Sequence, residues 1–192
     1  MNNILFINAC ARKDSRTKEL ANVVLSKLKG KITEINLLKE NLKPLSEEDI
    51  NLRFSLTAKK DFSNPIFDKA RQFSAADIIV IAAPFYDYSF PAVLKIYIEN
   101  INVSGIVFKY NEKGEIEGLC KAKKVIYTTT AGGPILNNDF GYGYIKFLCN
   151  NFYGIKDTIF IKAEGLDIWG ADIPAIMQKA KKEAAQIIAD NI

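Results

Sequence analysis

Hydroxyl, amide and basic side chains are concentrated between Asn8 and Thr17, immediately before a predicted helix. The first-turn N–H groups and the dipole of a helix favour an anion at such a position. The segment therefore predicts an anion site into which a phosphate would fit. It contains no glycine, which argues against the glycine-rich fingerprints of dinucleotide-binding and Walker-type loops. The same pattern also fits an ordinary helix cap with solvated charges.

A second segment, from Ala83 to Pro91, contains four aromatic residues where a loop would normally be polar. Apolar edges and aromatic stacking, combined with backbone N–H groups, would suit a flat conjugated ring such as a flavin. The alternative is that these rings fill the core or a dimer contact.

A third segment, Thr128 to Pro134, contains Gly132 and Gly133. Glycine permits close approach of the backbone to a ligand, so the amides of this segment are candidates to face the pyrimidine edge of such a ring. The alternative is a tight turn without a ligand.

Composition excludes several other classes of site. The 192 residues contain no histidine, which rules out Ser-His-Asp and Cys-His catalysis and histidine-bound metals. Cys10, Cys120 and Cys149 are widely spaced, so we predict neither a disulfide framework nor a metal site. Basic and acidic residues are interspersed, which gives a net charge of +4 without a basic stripe, and we expect no nucleic-acid partner.

The longest strongly apolar run, Ile78 to Phe85, is too short to span a membrane, and the N-terminus lacks the features of a signal peptide. We therefore expect a cytoplasmic protein with no membrane partner.

Apolar, β-rich runs alternate with helical periodicity along the chain, which predicts an α/β fold with a doubly wound parallel sheet. The predicted strands of this sheet are 4–8, 32–37, 77–82, 124–130 and 158–163. Predicted helices begin after the first loop, near Phe67, at Pro91, near Tyr144 and at Ile173, and a small hairpin spans 107–119. Residues 38–64 are expected to form a long polar excursion with at most one short helix.

This organisation brings the three segments together. Ligands of open α/β sheets bind beyond the carboxyl ends of the strands, and the segments follow the first, third and fourth strands. No repeat or linker interrupts the chain, so we expect residues 1–192 to form one domain.

Several motifs resemble the flavodoxin-like FMN-dependent NADH-azoreductases and NAD(P)H:quinone oxidoreductases. These motifs are Pro84-Phe85-Tyr86-Asp87-Tyr88-Ser89-Phe90-Pro91, Gly105-Ile106-Val107-Phe108-Lys109-Tyr110, Thr130-Ala131-Gly132-Gly133, Ser15-Arg16-Thr17 and Ala163-Glu164-Gly165. The resemblance covers nearly the whole chain and implies a five-stranded parallel sheet in the order 2-1-3-4-5, with helices on both faces.

The resemblance also implies FMN as cofactor and NADH or NADPH as co-substrate. In this scheme electrons pass by a ping-pong route to a quinone, an azo compound or a similar small aromatic acceptor. Ser15 and Thr17 would hold the FMN phosphate, Phe85 to Tyr88, with the preceding Pro84, would line the isoalloxazine ring, and Thr130 to Gly133 would contact its pyrimidine side. Flavin N5 would carry the chemistry, with no catalytic side chain and no metal.

Three departures from the family pattern stand at Ala9, Asp87 and Ala131, where azoreductases commonly have Ser, Asn and Arg. Arg12 is a candidate to replace the phosphate donor lost at Ala9. The family usually forms homodimers, and Phe140, Tyr142, Tyr144 and Phe152 are candidate interface aromatics. Two alternatives are an electron carrier like flavodoxin and a flavin-free binding module on the same fold.

Overall fold

The computed structural model describes residues 1–192 and contains seven strands in two sheets. The strands are β1 (Asn2–Asn8), β2 (Gly30–Asn36), β3 (Ile78–Ala82), β4 (Phe108–Tyr110), β5 (Ile116–Gly118), β6 (Lys124–Thr130) and β7 (Asp157–Ala163). The main sheet is parallel throughout, in the order β2-β1-β3-β6-β7, which confirms the predicted order of 2-1-3-4-5. β4 and β5 pair antiparallel as the expected hairpin.

Six α-helices connect these strands. They are α1 (Arg16–Lys27), α2 (Glu47–Ala58), α3 (Asp68–Ala75), α4 (Ala92–Ile101), α5 (Tyr144–Leu148) and α6 (Ile173–Asn191). A short 3₁₀ turn, Pro65–Phe67, precedes α3, and one π-helical turn flanks each end of α5. No helix is long and apolar enough to cross a membrane.

Two apolar cores cover the two faces of the main sheet. Leu5 and Ile7 of β1 belong to the core under α3, α4 and α5, whereas Ile4 and Phe6 belong to the core under α1 and α6. This alternation follows from the two-residue period of a strand. All five residues of β3 are buried, as expected of a central strand of a parallel sheet.

Three local features differ from the sequence prediction. The excursion over 38–64 contains a helix of 12 residues, α2, none of which is buried, so apolar periodicity could not reveal it. The helical pattern was expected to end at Gly30, but α1 ends earlier, at Lys27, and Gly30 is the first residue of β2. Pro91 is the N-cap of α4 and not its first residue.

Candidate functional site

A cavity of about 240 Å³ lies beyond the carboxyl ends of the central strands. All three segments singled out by sequence contribute to its walls, together with the loop that follows β7. Its lining comprises Arg12, Asp14, Ser15, Arg16, Thr17, Pro84, Phe85, Tyr86, Thr130, Ala131, Gly132, Leu166 and Asp167.

The N-terminus of α1 forms one end of this cavity. Ser15 is the N-cap, and its hydroxyl accepts a hydrogen bond from the Lys18 N–H at 3.2 Å. The N–H groups of Arg16 and Thr17 have no acceptor within the protein. A helix start leaves these groups without intrahelical partners, so they are available to an anion.

Thr17 also connects α1 to the sheet. Its side chain is buried, and its hydroxyl lies 2.6 Å from that of Thr130 at the end of β6. This hydrogen bond fixes the start of the helix against the glycine segment that follows β6.

The glycine segment forms another wall of the cavity through its backbone. The carbonyls of Ala131, Gly132 and Gly133 accept hydrogen bonds from the N–H groups of Leu166, Asp167 and Gly165, respectively, at 2.9 to 3.3 Å. The N–H groups of Gly132 and Gly133 have no acceptor. The loop after β7 therefore occupies the acceptors of this segment and leaves two adjacent donors for a ligand.

Glu164 reinforces this arrangement from the end of β7. Its carboxylate accepts hydrogen bonds from the Ile135 N–H and the Lys162 ammonium, each at 2.9 Å. Partial burial raises the pKa of Glu164, but these two hydrogen bonds outweigh burial and lower it overall. The ionised side chain thus holds the far side of the glycine segment at neutral pH.

The aromatic segment turns sharply beside the cavity. Tyr86 and Ser89 exchange backbone hydrogen bonds of 3.0 and 2.8 Å, and the two residues between them, Asp87 and Tyr88, have φ values of +49° and +63°. Such a two-residue turn favours glycine or asparagine, so these non-glycine residues are held in a costly conformation. The Ser89 hydroxyl braces the turn by donating to the Phe140 carbonyl at 2.7 Å.

Four charged side chains line the cavity, two basic and two acidic. Arg16 Nη1 lies 3.3 Å from Asp167 Oδ1 and 3.4 Å from the Leu166 carbonyl. Arg12 makes no ion pair and is exposed, so its charge is available to a ligand. The cavity therefore offers an unpaired cation close to the α1 N-terminus.

A polar network centred on the buried Asn8 side chain lies at the base of the first loop. The buried Asn8 side chain accepts from the Cys10 N–H at 2.9 Å and donates to Glu34 at 2.8 Å, and Glu34 also pairs with Lys18 at 3.0 Å. Partial burial raises the pKa of Glu34, whereas the bonds from Asn8 and Lys18 lower it more strongly. Burial raises the pKa of Cys10, so this thiol stays protonated and unreactive at neutral pH.

The structure brings nine of the predicted residues together in the cavity wall. They are Arg12, Ser15, Thr17, Pro84, Phe85, Tyr86, Thr130, Ala131 and Gly132. Asp87, Tyr88 and Gly133 lie in the same loops but outside the lining.

Four lining residues were not predicted: Asp14, Arg16, Leu166 and Asp167. Asp14 and Arg16 lie within the first segment. Leu166 and Asp167 follow β7, and the rule that ligands bind beyond carboxyl ends of strands would have found them if applied to the fifth strand.

The expected interface aromatics are not all exposed. Phe140 is exposed, but Tyr142, Tyr144 and Phe152 are only partly accessible. Tyr142 stacks on Phe160 with ring centroids 4.5 Å apart and bonds through its hydroxyl to Thr158. Tyr142 therefore packs mainly against residues of its own chain.

The donors around the cavity fit the ligand that the sequence suggested. FMN has an anionic phosphate at one end and a flat ring with polar atoms at the other. The uncommitted amides of Arg16 and Thr17 suit the phosphate, and those of Gly132 and Gly133 suit the polar edge of the ring.

Comparison with known proteins gives the same fold. The model of a family described as having a flavodoxin-like fold matches residues 2–188. An FMN-dependent NADH:quinone oxidoreductase of Clostridium beijerinckii is 33% identical over 195 residues, covering 97% of this chain and 98% of that protein. A protein of the same name from Caldicellulosiruptor saccharolyticus is 36% identical over 199 residues, again covering 97% and 98%.

Two solved structures of similar shape come from Bacillus anthracis. One is an azoreductase with a TM-score of 0.85 and 24% identity, covering 99% of this chain and 100% of that one. The other is an FMN-dependent NADH-azoreductase in complex with FMN, with a TM-score of 0.79, 24% identity and 99% coverage of both chains. At this identity the likeness establishes the fold.

Proposed function

The chain belongs to the family of FMN-dependent NADH:quinone oxidoreductases with a flavodoxin-like fold, and we propose that it transfers electrons from NADH to quinones. Azo compounds and similar small aromatic molecules are further acceptors in this proposal. The cofactor is FMN, and the protein is an enzyme rather than an electron carrier or a flavin-free module.

One observation carries the assignment of the site. A single cavity has uncommitted backbone donors on two of its walls, at the N-terminus of α1 and in the glycine segment after β6. Donors left open in this way, one set of them at a helix N-terminus, are available to an anionic or polar ligand.

When bound, FMN supplies the redox chemistry by taking up a hydride from the reduced nicotinamide and delivering the electrons to the acceptor. The protein binds and orients it. The amides of Arg16 and Thr17 and the guanidinium of Arg12 would hold the phosphate. The amides of Gly132 and Gly133 would stabilise negative charge at the pyrimidine edge.

The aromatic segment would complete the site from the other side. Phe85 and Tyr86 line the cavity, and Pro84 continues this wall. The turn at Asp87 and Tyr88 places both residues beside the cavity, and its backbone N–H groups make no hydrogen bond within the protein. We propose that this wall orients the flat ring and keeps water from it.

The visible spectrum of the purified protein tests this function. The protein is supplied with FMN, freed of excess cofactor and mixed anaerobically with NADH or NADPH, and then with a quinone. Bound flavin that bleaches with NADH and regains its colour with the quinone supports the proposal. Bound flavin that neither nucleotide reduces would favour the electron carrier, and failure to bind FMN would favour the flavin-free module.

We also propose that the protein forms a homodimer through the face of α2 and α4. A groove of about 550 Å³ lies between these helices and is lined in part by Pro44, Leu45, Ile50, Phe54 and Val103. None of the residues of α2 is buried, and Phe54 is 73% exposed. Apolar residues left open on a helix are typical of a surface that another chain covers.

Light scattering coupled to size-exclusion chromatography tests this interface. We expect Phe54→Glu to shift the protein from dimer to monomer, because the introduced charge would have to be buried without a partner. Phe147→Glu is a matched control on α5, since Phe147 is 59% exposed. A dimer that survives Phe54→Glu, or one that only Phe147→Glu disrupts, would contradict the proposed face.

Two further proposals concern organisation and location. We propose that residues 1–192 act as one FMN-binding domain, which the family match over residues 2–188 supports. We propose a cytoplasmic location, which the three unpaired cysteines support because secreted proteins commonly pair theirs.

A further inference from the structure

Asp167 connects two walls of the cavity. Its Oδ1 lies 3.3 Å from Arg16 Nη1 at the start of α1. Its Oδ2 lies so close to the Gly132 backbone that a Cβ at this position would meet it, and the carboxylate would then have to move. No group in the protein donates a hydrogen bond to Oδ2. One oxygen is thus fixed by Arg16 while the other remains an open acceptor at the cavity wall.

The position of this acceptor is informative because, apart from the Asp14 carboxylate, the open groups of the cavity are mainly donors. The carbonyls of Ala131 and Gly132 are occupied by the loop after β7, and the Leu166 carbonyl faces Arg16. The phosphate and the ring of FMN are joined by a ribityl chain, which carries hydroxyl groups. With the phosphate at the start of α1 and the ring beside Gly132, the ribityl chain would run between these two places, which Asp167 connects.

We propose that the Asp167 carboxylate accepts hydrogen bonds from the ribityl hydroxyls of the flavin, and so selects ligands that carry a polyol linker. This inference rests on the proposed FMN-dependent function. Arg16 neutralises the carboxylate, which limits its repulsion of the nearby phosphate. Hydroxyl-to-carboxylate bonds are stronger than bonds between neutral groups, which makes a carboxylate an effective recognition group here.

Binding of three flavins to the full-length chain tests the proposal. The flavin is removed, and FMN, riboflavin and lumiflavin are titrated while flavin fluorescence is followed. Riboflavin lacks the phosphate, and lumiflavin lacks both the phosphate and the ribityl chain. We expect Asp167→Ala to weaken FMN and riboflavin by about 3- to 10-fold and to leave lumiflavin unchanged. Asp167→Asn retains an acceptor oxygen and should recover part of the loss.

Glu112→Gln provides the matched control, because it also removes one negative charge but lies in the turn between β4 and β5, outside the cavity lining. It should leave riboflavin binding unchanged. If Asp167→Ala tightens FMN and leaves riboflavin unchanged, the carboxylate merely opposes the phosphate and the proposal is overturned. Equal weakening of all three flavins would also overturn it, since a general disturbance of the cavity would then explain the effect.

These outcomes are separate from the fate of the proposed function. If the unaltered protein binds none of the three flavins, the FMN-dependent function itself fails. If it binds them and Asp167→Ala does not produce the expected pattern, only the role of Asp167 fails.

Discussion

Helices α1 and α2 begin in similar ways yet have opposite relations to their surroundings. Both are 12 residues long, and in both a serine hydroxyl caps a first-turn N–H. α1 buries five residues against the sheet, whereas α2 buries none. The difference at their N-termini is equally clear and bears directly on ligand binding.

The N-terminus of α2 is filled by its own side chains. Ser46 and Asp49 form a reciprocal capping box, and Glu47 and Glu48 add two more negative charges to the first turn. In α1 the single acidic residue of the first turn, Glu19, is paired with Lys181 of α6. A helix start therefore becomes an anion site only where the sequence leaves it unfilled.

Arg16→Glu is the strongest way to break this contrast, because it gives α1 an acidic first residue like that of α2. We expect FMN affinity to fall roughly 100-fold, since a cation is replaced by an anion near the phosphate. Riboflavin, which lacks the phosphate, should be affected much less. Glu47→Arg on α2 is the reciprocal control and should leave both affinities unchanged. Equal losses for FMN and riboflavin would refute the phosphate site.

Removal of the two capping hydroxyls should have a smaller effect. Ser15→Ala and Ser46→Ala each remove one cap, and we expect each to lower the free energy of unfolding by about 1 kcal/mol. Only Ser15→Ala should also weaken FMN, by about 10-fold, because the Ser15 hydroxyl is positioned to donate to the phosphate. Chemical denaturation and fluorescence titration measure the two effects. Similar FMN affinities in both variants would remove Ser15 from the site.

The smallest expected difference between the two helices is in their stability at acidic pH. Hydrogen bonds from its own N–H and from the Ser46 hydroxyl lower the pKa of Glu48 below the ordinary value of 4.5. When folding lowers the pKa of a carboxyl group, the ionised group stabilises the folded state at pH values above the unfolded pKa. This contribution is lost as the pH falls through the folded pKa. Amide exchange, corrected for intrinsic rates, should therefore show α2 fraying before α1 as the pH falls below the ordinary pKa of 4.5. Glu48→Gln should remove part of this difference, and earlier fraying of α1 would contradict it.

The sequence predicted the sheet and most of the cavity because both depend on local patterns. The unbroken β-branched run at Ile78–Ala82 identifies the central strand, and the order of strands and helices places the three loops at one edge. The polarity of Asn8 to Thr17 and the glycines after β6 then indicate their chemistry.

The parts that could not be predicted depend on contacts between distant residues. α2 buries no apolar stripe, so its pattern resembles a polar loop. The role of Asp167 follows from its contacts with Arg16 and Gly132, which no local spacing encodes. The unpaired amides of Gly132 and Gly133 likewise depend on how residues 165–167 pair with this segment.

The bonds between the glycine segment and residues 165–167 have a consequence for how the protein is made. The cavity joins residues near position 16, near 130 and near 167, so its first part is more than a hundred residues of chain away from the other two. Contacts of such long sequence separation form slowly, because a long loop must close before they are made. A growing chain on the ribosome can thus assemble β1, α1 and β3 early, but it gains a complete cofactor cavity only after β7 and the loop beyond it have emerged. The growing chain can therefore bind the cofactor only near the end of its synthesis.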